Sequence, residues 1–193
     1  MKKLFFVFCS VFCFAANAQS YSDSIKKYQS DYVINHEVVK GEDRKAIHFF
    51  EADSNFRVIA GFQKIENAPW FSMPTSGKMV KIFRVYGVLK FLVHDTLVSM
   101  NLYQSQNMMN SPEYKEWLFL PFTDGTTGTE SYDGGRYLDL KMDEIKNNHL
   151  VIDFNKAYNP YCVYVSNVYN CPIPPKENNL PVWVRAGEKM YRK

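Results

Sequence analysis

Residues 123–136 combine three acids and one arginine, whose side chains can bind ligands or transfer protons, with four glycines. Glycines let a backbone take positive φ and approach a ligand closely, and Arg136 can bind a carboxylate or phosphate through two parallel hydrogen bonds. The stretch is neither a phosphate-binding loop nor a dinucleotide-binding fingerprint. The alternative is an internal brace in which Arg136 pairs with Asp124 or Asp133, and the residue types favour this brace.

A second pair of polar residues, Asp153 and Asn155, lies at the end of the mostly apolar segment 149–154. Alternation along a strand places Asp153 and Asn155 on the same face, beside a turn that begins near Tyr158. These side chains can line a pocket. They can equally hold the turn by accepting its backbone N–H groups, as Asp and Asn often do.

Glu188, near the C-terminus, completes a scattered set of carboxylates with Asp124, Asp133 and Asp153. Such a set suits acid–base chemistry or a hard cation such as Ca²⁺, but the spacing between the acids is long and irregular. No serine-hydrolase elbow is present. No ligand pattern includes the four histidines, His36, His48, His94 and His149. We therefore predict no metal and no cofactor.

The N-terminus predicts export. Lys2 and Lys3 precede an apolar run over residues 4–14, and Ala16 and Ala18 supply the small residues that a signal peptidase reads. The run is too short to span a membrane, so residues 1–18 are expected to be a signal peptide cleaved before Gln19. We expect a mature chain in the periplasm or cell envelope, without a membrane span.

Composition bounds the partners of the mature chain. Loss of residues 1–18 removes two lysines and no acids, which lowers the net charge from +3 to +1. A net charge this close to zero gives no indication of a basic surface that binds nucleic acid or anionic membranes. Residues 19–193 have the length of one domain with a sizeable core.

Cleavage also leaves two of the four cysteines, Cys162 and Cys171. In an oxidising compartment such a pair is expected to form a disulfide. If Ser166 and Asn167 form a hairpin turn, the two cysteines lie opposite each other on a non-hydrogen-bonded pair. A zinc site would need two further ligands, which this part of the sequence does not supply.

The element pattern favours a mainly β fold, an antiparallel β-sandwich or a partly open barrel, after an N-terminal amphipathic helix. The helix is indicated by apolar and aromatic residues spaced by four and three, Tyr21, Ile25, Tyr28 and Tyr32. Strands are predicted at 47–51, 56–60, 80–86, 88–93, 96–103, 117–122, 149–154 and 180–184. Gly87 marks a bend or bulge, and residues 141–148 form a second, short helix. The sequence leaves sandwich and barrel open.

Four of these motifs together resemble one bacterial family, the domain of unknown function 1684. The elements that carry the resemblance are Asp124-x-Thr126, Gly134 to Tyr137, Asp153 to Asn155, and Ala186 to Glu188. The resemblance covers most of the mature chain. It implies no activity, because none is established for the family.

These observations predict an exported protein that binds a small anionic or carbohydrate-like molecule. The candidate ligand-binding residues are Asp124, Arg136, Tyr137, Asp153, Asn155, Tyr158 and Glu188. One alternative is a cell-envelope hydrolase that uses Asp124, Asp153 or Glu188 as acid or base. The other is a purely structural envelope module, whose partner would be another envelope component.

Overall fold

The structure is a computed structural model that describes the backbone of residues 8–192 and the side chains of residues 20–192. The predicted signal peptide, residues 1–18, therefore lies outside the residues whose side chains are described, and so do Cys9 and Cys13. Its cleavage stays a prediction.

Within residues 8–192, seven antiparallel strands form one sheet that curls into half a barrel. The strands are β1 (Arg57–Lys64), β2 (Phe71–Met73), β3 (Lys81–Val93), β4 (Thr96–Ser105), β5 (Trp117–Phe122), β6 (Arg136–Lys141) and β7 (His149–Asp153). Neighbouring strands follow the order β6-β5-β4-β3-β1-β7, and β2 pairs with β3. The prediction of a mainly β fold with an N-terminal helix is confirmed.

The long hairpin of β3 and β4 is the spine of the sheet. Its tight turn places His94 and Asp95 at φ +45° and +59°, the left-handed region that a two-residue hairpin loop requires. The pairing register shifts between Val85 and Gly87, which confirms the bulge predicted there. Gly87 is needed because the Phe62 ring lies 2.3 Å from where a Cβ atom would be.

The two faces of the sheet differ in what covers them. One face packs into the main hydrophobic core, to which β6 contributes Leu138 and Leu140. The opposite face carries a smaller cluster of rings that includes Phe83, Phe119 and Tyr137. Because side chains alternate along a strand, consecutive residues of β6 serve different faces.

Helix α1 (Phe8–Asn35) lies against the polar end of β7. Ile25 is buried, and the Tyr21 hydroxyl donates to Asp153 Oδ1 at 2.9 Å. Gln29 donates from its side chain to the Asn155 carbonyl at 3.3 Å. Among the described residues, no helix is both long and apolar enough to cross a membrane.

Some predicted elements are absent from the described chain. Residues 47–51 and 180–184 contain no named strand, and the predicted helix at 141–148 is a single 3₁₀ turn, Met142–Glu144. The segment 162–171 forms turns instead of a hairpin. Tyr161 and Tyr164 explain this, because their hydroxyls bond Glu37 and Glu188 in the body of the protein, and such tertiary contacts override strand propensity.

Candidate functional site

Arg136, the first residue of β6, is fully buried. Both terminal nitrogens of its guanidinium bond protein acceptors, whereas Nε has no partner among the described residues. Nη2 donates to Asp124 Oδ2 at 2.9 Å and to the Val184 carbonyl at 2.8 Å. Nη1 donates to the carbonyls of Ala186 and Glu188. This cation therefore ties the 123–136 loop to the C-terminal segment.

Asp124 is equally committed to internal partners. Besides the ion pair with Arg136, its Oδ1 accepts the backbone N–H groups of Thr126 at 2.7 Å and Val184 at 3.2 Å. Both side chains of the pair are essentially inaccessible to solvent. The arrangement is the internal brace that the sequence favoured, with Asp124 and not Asp133 as the partner.

Glu188 is a buried carboxylate, and the donors that reach it from the described residues are neutral. The Tyr164 hydroxyl donates to Oε1 at 2.6 Å, and the Asn159 N–H donates to Oε2 at 2.9 Å. The Tyr32 hydroxyl also reaches Oε2, at 3.4 Å. Burial raises the pKa of Glu188 to about 7, and these hydrogen bonds offset part of that rise. The carboxylate joins helix α1 to the C-terminal segment.

Asp153 and Asn155 hold chain segments together, but not the turn near Tyr158 that the sequence suggested, whose Asn159 N–H donates to Glu188 instead. Asp153 Oδ1 accepts from the backbone N–H and the side-chain amide of Asn155. The Asn155 amide also donates to the Asp53 carbonyl at 2.8 Å, while its oxygen accepts the Asp53 N–H at 2.9 Å. Asn155 is fully buried, so its hydrogen-bonding capacity is used internally.

A cavity of about 1020 Å³ opens on the opposite face of the sheet from the main core. Its floor is largely aromatic and comes from β3, β5 and β6, with Phe83, Trp117, Phe119 and Tyr137. Tyrosines of helix α1 and of the C-terminal loops form its walls: Tyr28, Tyr32, Tyr158, Tyr161 and Tyr169. This volume suits a ligand of several rings or a short chain.

Asp139 is the carboxylate of β6 that faces this cavity. The Tyr158 hydroxyl donates to its Oδ2 at 2.7 Å. Asp139 reaches solvent through the cavity, yet surrounding protein raises its pKa by desolvation, and the hydrogen bond from Tyr158 offsets part of that rise. Burial also raises the pKa of Tyr158 well above its ordinary value, so the phenol remains a neutral donor.

Four cationic side chains line the same cavity, Arg57, Lys81, Lys141 and Lys156. None of them belongs to the ion pairs found among residues 20–192. Lys141 Nζ lies 4.8 Å from the centre of the Trp117 ring, and Lys156 Nζ lies 5.4 Å from that of Tyr28. Three carboxylates, Asp139, Glu144 and Asp153, also line the cavity. The cavity therefore combines an aromatic floor with charges of both signs, and its four cations form no ion pair within the described residues.

The predicted ligand-binding residues divide between these regions. Tyr137, Asp153 and Tyr158 line the cavity. The other four do not line it, and their polar atoms serve internal contacts: Asp124, Arg136, Asn155 and Glu188. Whether any of the seven binds a ligand stays a prediction.

Asp139 and Lys141 were missed by the sequence reasoning. The signal was available in the alternation of 136–141, where Leu138 and Leu140 mark one face and Asp139 and Lys141 mark the other. The glycine-rich loop before this strand drew attention to Arg136, which points to the core face. Within the described chain, no group of three or more His, Cys, Asp or Glu side chains could hold a metal ion.

Comparisons with known proteins identify a family but no activity. The family described as a protein of unknown function (DUF1684) matches residues 42–189. No curated protein matches the chain. A solution NMR structure of an uncharacterized protein from gene locus rrnAC0354 of Haloarcula marismortui is similar, with a TM-score of 0.66 and 27% sequence identity. The match covers 90% of this chain and 96% of that chain.

Proposed function

This chain belongs to the family of proteins of unknown function DUF1684, and we propose that it binds a small organic anion with an apolar, ring-containing body. The observation that carries the proposal is the set of four cations around the aromatic floor of the cavity, none of which forms an ion pair with another described residue. Both parts are on the face of the sheet that the main core leaves uncovered. Of the two ligand classes that the sequence suggested, anionic and carbohydrate-like, we therefore favour the anionic one.

The physical argument rests on where the charges lie. An ion pair inside the protein would cancel a cation, as it does for Arg136, but Lys81 and Arg57 have no such partner among the described residues. A carboxylate or sulfonate brought beside them would gain attraction that the apolar floor strengthens by excluding water. The rings of Phe119 and Trp117 would bury the body of the ligand.

We propose that the protein is exported and acts in the periplasm or cell envelope. The basic start, the apolar run over residues 4–14 and the small residues Ala16 and Ala18 support this location. Expression of the full-length chain in a bacterial host, followed by fractionation and mass measurement, tests it. We expect a periplasmic product that begins at Gln19. An uncleaved cytoplasmic product would contradict the proposal.

The binding test uses calorimetry with a charged ligand and its neutral isostere. We expect 2-naphthoate to bind at least about tenfold more tightly than 2-naphthamide, a difference of about 1.4 kcal/mol. The difference should shrink as ionic strength rises, because the cations at the rim are solvent-exposed. Equal affinities would remove the anion preference. If maltose binds and neither naphthalene ligand does, a carbohydrate-like ligand would be favoured instead.

Two lysines of β3 make a matched pair for locating the site. Lys81 lines the cavity, whereas Lys90 is exposed on the same strand and does not line it. Lys81→Gln should weaken 2-naphthoate binding by about three- to fivefold, the effect of losing one partly screened charge. Lys90→Gln should leave affinity unchanged. Equal effects of both variants would indicate non-specific attraction.

The raised pKa of Asp139 supports a second candidate, a hydrolase in which this carboxyl is the general acid. Of the three acids in the sequence hypothesis, Asp153 lines the cavity, whereas Asp124 and Glu188 do not. Turnover of 4-nitrophenyl glycosides and esters, lost in Asp139→Asn, would establish it. Binding without turnover would leave the binding protein as the function.

A further inference from the structure

The two cysteines lie beside the cavity at the ends of an exposed loop. The backbone N–H of Cys162 donates to Cys171 Sγ at 3.2 Å, so the structure brings the two residues into contact as separate thiols. Cys171 itself lines the cavity, together with Tyr161 before the loop and Tyr169 near its end. A bond between the cysteines would close the loop against that wall.

The two ends of the loop are anchored, and the part between them is not buried. The backbone of Cys171 is held to Ser76 by two hydrogen bonds of 3.1 and 2.9 Å. Tyr161, next to Cys162, donates its hydroxyl to Glu37 at 2.9 Å. Between the cysteines, Val168 is 60% exposed. A small molecule can therefore approach the loop without unfolding of the core.

The surroundings of the two sulfurs differ. Cys171 is buried, whereas Cys162 is only partly buried, and the Tyr132 hydroxyl lies 3.9 Å from its sulfur. Hydrogen bonding from Cys171, with smaller help from Ser76 and Tyr132, lowers the pKa of Cys162 to about 6. The same pairing raises the pKa of Cys171. The more accessible sulfur, that of Cys162, is thus the one that an incoming disulfide meets first, and the hydrogen bonds to it favour its thiolate.

We propose that Cys162 and Cys171 form a thiol–disulfide exchange site for low-molecular-weight disulfides. The Cys162 thiolate attacks one sulfur of the disulfide, forms a mixed disulfide and releases the other sulfur as a thiolate. The Cys171 thiol then transfers its proton to solvent and attacks the Cys162 sulfur, which expels the second small thiolate. Two electrons pass from the two cysteines to the small disulfide, and the loop is closed by one intramolecular bond.

Single-cysteine variants of the full chain test the assignment of roles, with oxidised glutathione as the probe. Cys171→Ser keeps a hydroxyl that can donate to the Cys162 thiolate, so the surroundings that favour ionisation are retained. By mass spectrometry at pH 7, Cys162 in this variant should acquire glutathione at least about tenfold faster than Cys171 does in Cys162→Ser. In urea the two rates should become equal. Equal rates in the folded proteins, or a faster Cys171, would overturn the proposal.

Equilibration of the unsubstituted protein in glutathione redox buffers separates an exchange site from a permanent structural bridge. We expect the folded protein to pass from dithiol to disulfide as the proportion of oxidised glutathione increases, and to return when the reduced form is in excess. Residues 163–170, between the two cysteines, should be cleaved more slowly by a protease when the protein is oxidised. A pair that stays fully oxidised in excess reduced glutathione, or fully reduced in excess oxidised glutathione, contradicts the proposal.

Discussion

Strand β6 carries two charged environments that differ in one respect, whether the protein itself supplies the partners. Arg136 faces the core side, where Asp124 and three backbone carbonyls take up its hydrogen bonds. Asp139 and Lys141 face the cavity, where Asp139 has one tyrosine partner and Lys141 stands over a ring. The two environments lie only a few residues apart along the chain.

The difference assigns the two faces different tasks. A charge buried in the interior is tolerated only if it is paired and hydrogen-bonded. The hydrogen bonds of Arg136 are therefore explained by the need to bury its charge when the chain folds. A charge that is left unpaired beside an apolar surface retains its capacity to attract a ligand. A polar residue of a conspicuous sequence motif, such as Arg136, can therefore be structural, while the proposed binding residues lie on the other face.

The largest expected effect comes from breaking the core-side network. Arg136→Met removes the partner of Asp124 and leaves the carbonyls of Val184 and Ala186 without their donor. We expect a loss of about 3–5 kcal/mol in the free energy of unfolding, the usual cost of removing one member of a buried pair. Urea titration followed by circular dichroism measures it.

Arg185→Met is the matched control for that experiment. Arg185 pairs with Glu130 at 2.8 Å, but its side chain is 58% exposed. Exposed pairs contribute about 0–1 kcal/mol, so this variant should unfold close to the parent. Similar losses in both variants would mean that burial does not distinguish the two arginines, and the comparison between faces would fail.

Glu188 extends the comparison to pH. Its pKa is raised from 4.5 to about 7 in the folded protein, so the folded state holds a proton that the unfolded state has released between these values. The contribution of Glu188 to the free energy of unfolding should therefore fall by about 3 kcal/mol as pH rises from about 4.5 to about 7, at 1.4 kcal/mol per unit. His36 contributes a slope of opposite sign over much of this range, because burial lowers its pKa to about 4, so the Glu188 slope is measured as the difference between the parent and Glu188→Gln. Glu188→Gln should remove this slope, because its amide can face the Tyr164 hydroxyl while its oxygen accepts the Asn159 N–H.

Glu130→Gln is the control of opposite sign. The hydrogen bond from Arg185 lowers the pKa of Glu130, so its small contribution is present above its unfolded pKa and is lost as pH falls. Thermal or urea unfolding from pH 4 to pH 8 compares the three proteins. A parent and a Glu188→Gln variant with parallel stability profiles would show that Glu188 ionises as freely when folded as when unfolded.

Local pattern predicted much of the sheet, since the alternation at 96–103 and the continuous apolar run at 117–122 correspond to β4 and β5. The bulge at Gly87 also followed from residue type. The segment 162–171 did not, because its conformation is decided by Tyr161 and Tyr164 reaching distant carboxylates. Strand propensity contains no information about such long-range partners.

The candidate site was harder to predict, and for a physical reason. Residue type shows that Arg136 and Asp124 are charged, but which face of a strand they occupy depends on its register. Register is set by strand pairing between distant parts of the chain. The sequence could therefore identify the polar residues, including Tyr137 and Tyr158, without showing which of them share the cavity.

The smallest expected effect concerns Asp139 and separates its charge from its hydrogen bond. Desolvation raises its pKa, so acidification below neutral pH protonates it earlier than an ordinary aspartate and removes a negative charge beside the proposed anion. Affinity for 2-naphthoate should then rise about two- to threefold from pH 7 to pH 5, which is modest because the cavity is open to solvent. Calorimetry at the two pH values measures it.

Asp139→Asn removes the charge but keeps an oxygen that can accept from Tyr158, so the wall of the cavity is retained. Its affinity for 2-naphthoate should equal or exceed that of the parent at pH 5 and should not change with pH. If the variant shows the same pH dependence as the parent, another group is responsible. If the parent loses affinity on acidification while Asp139→Asn does not, the ionised Asp139 carboxylate would favour binding of the anion, and the proposed balance of charges in the cavity would be wrong.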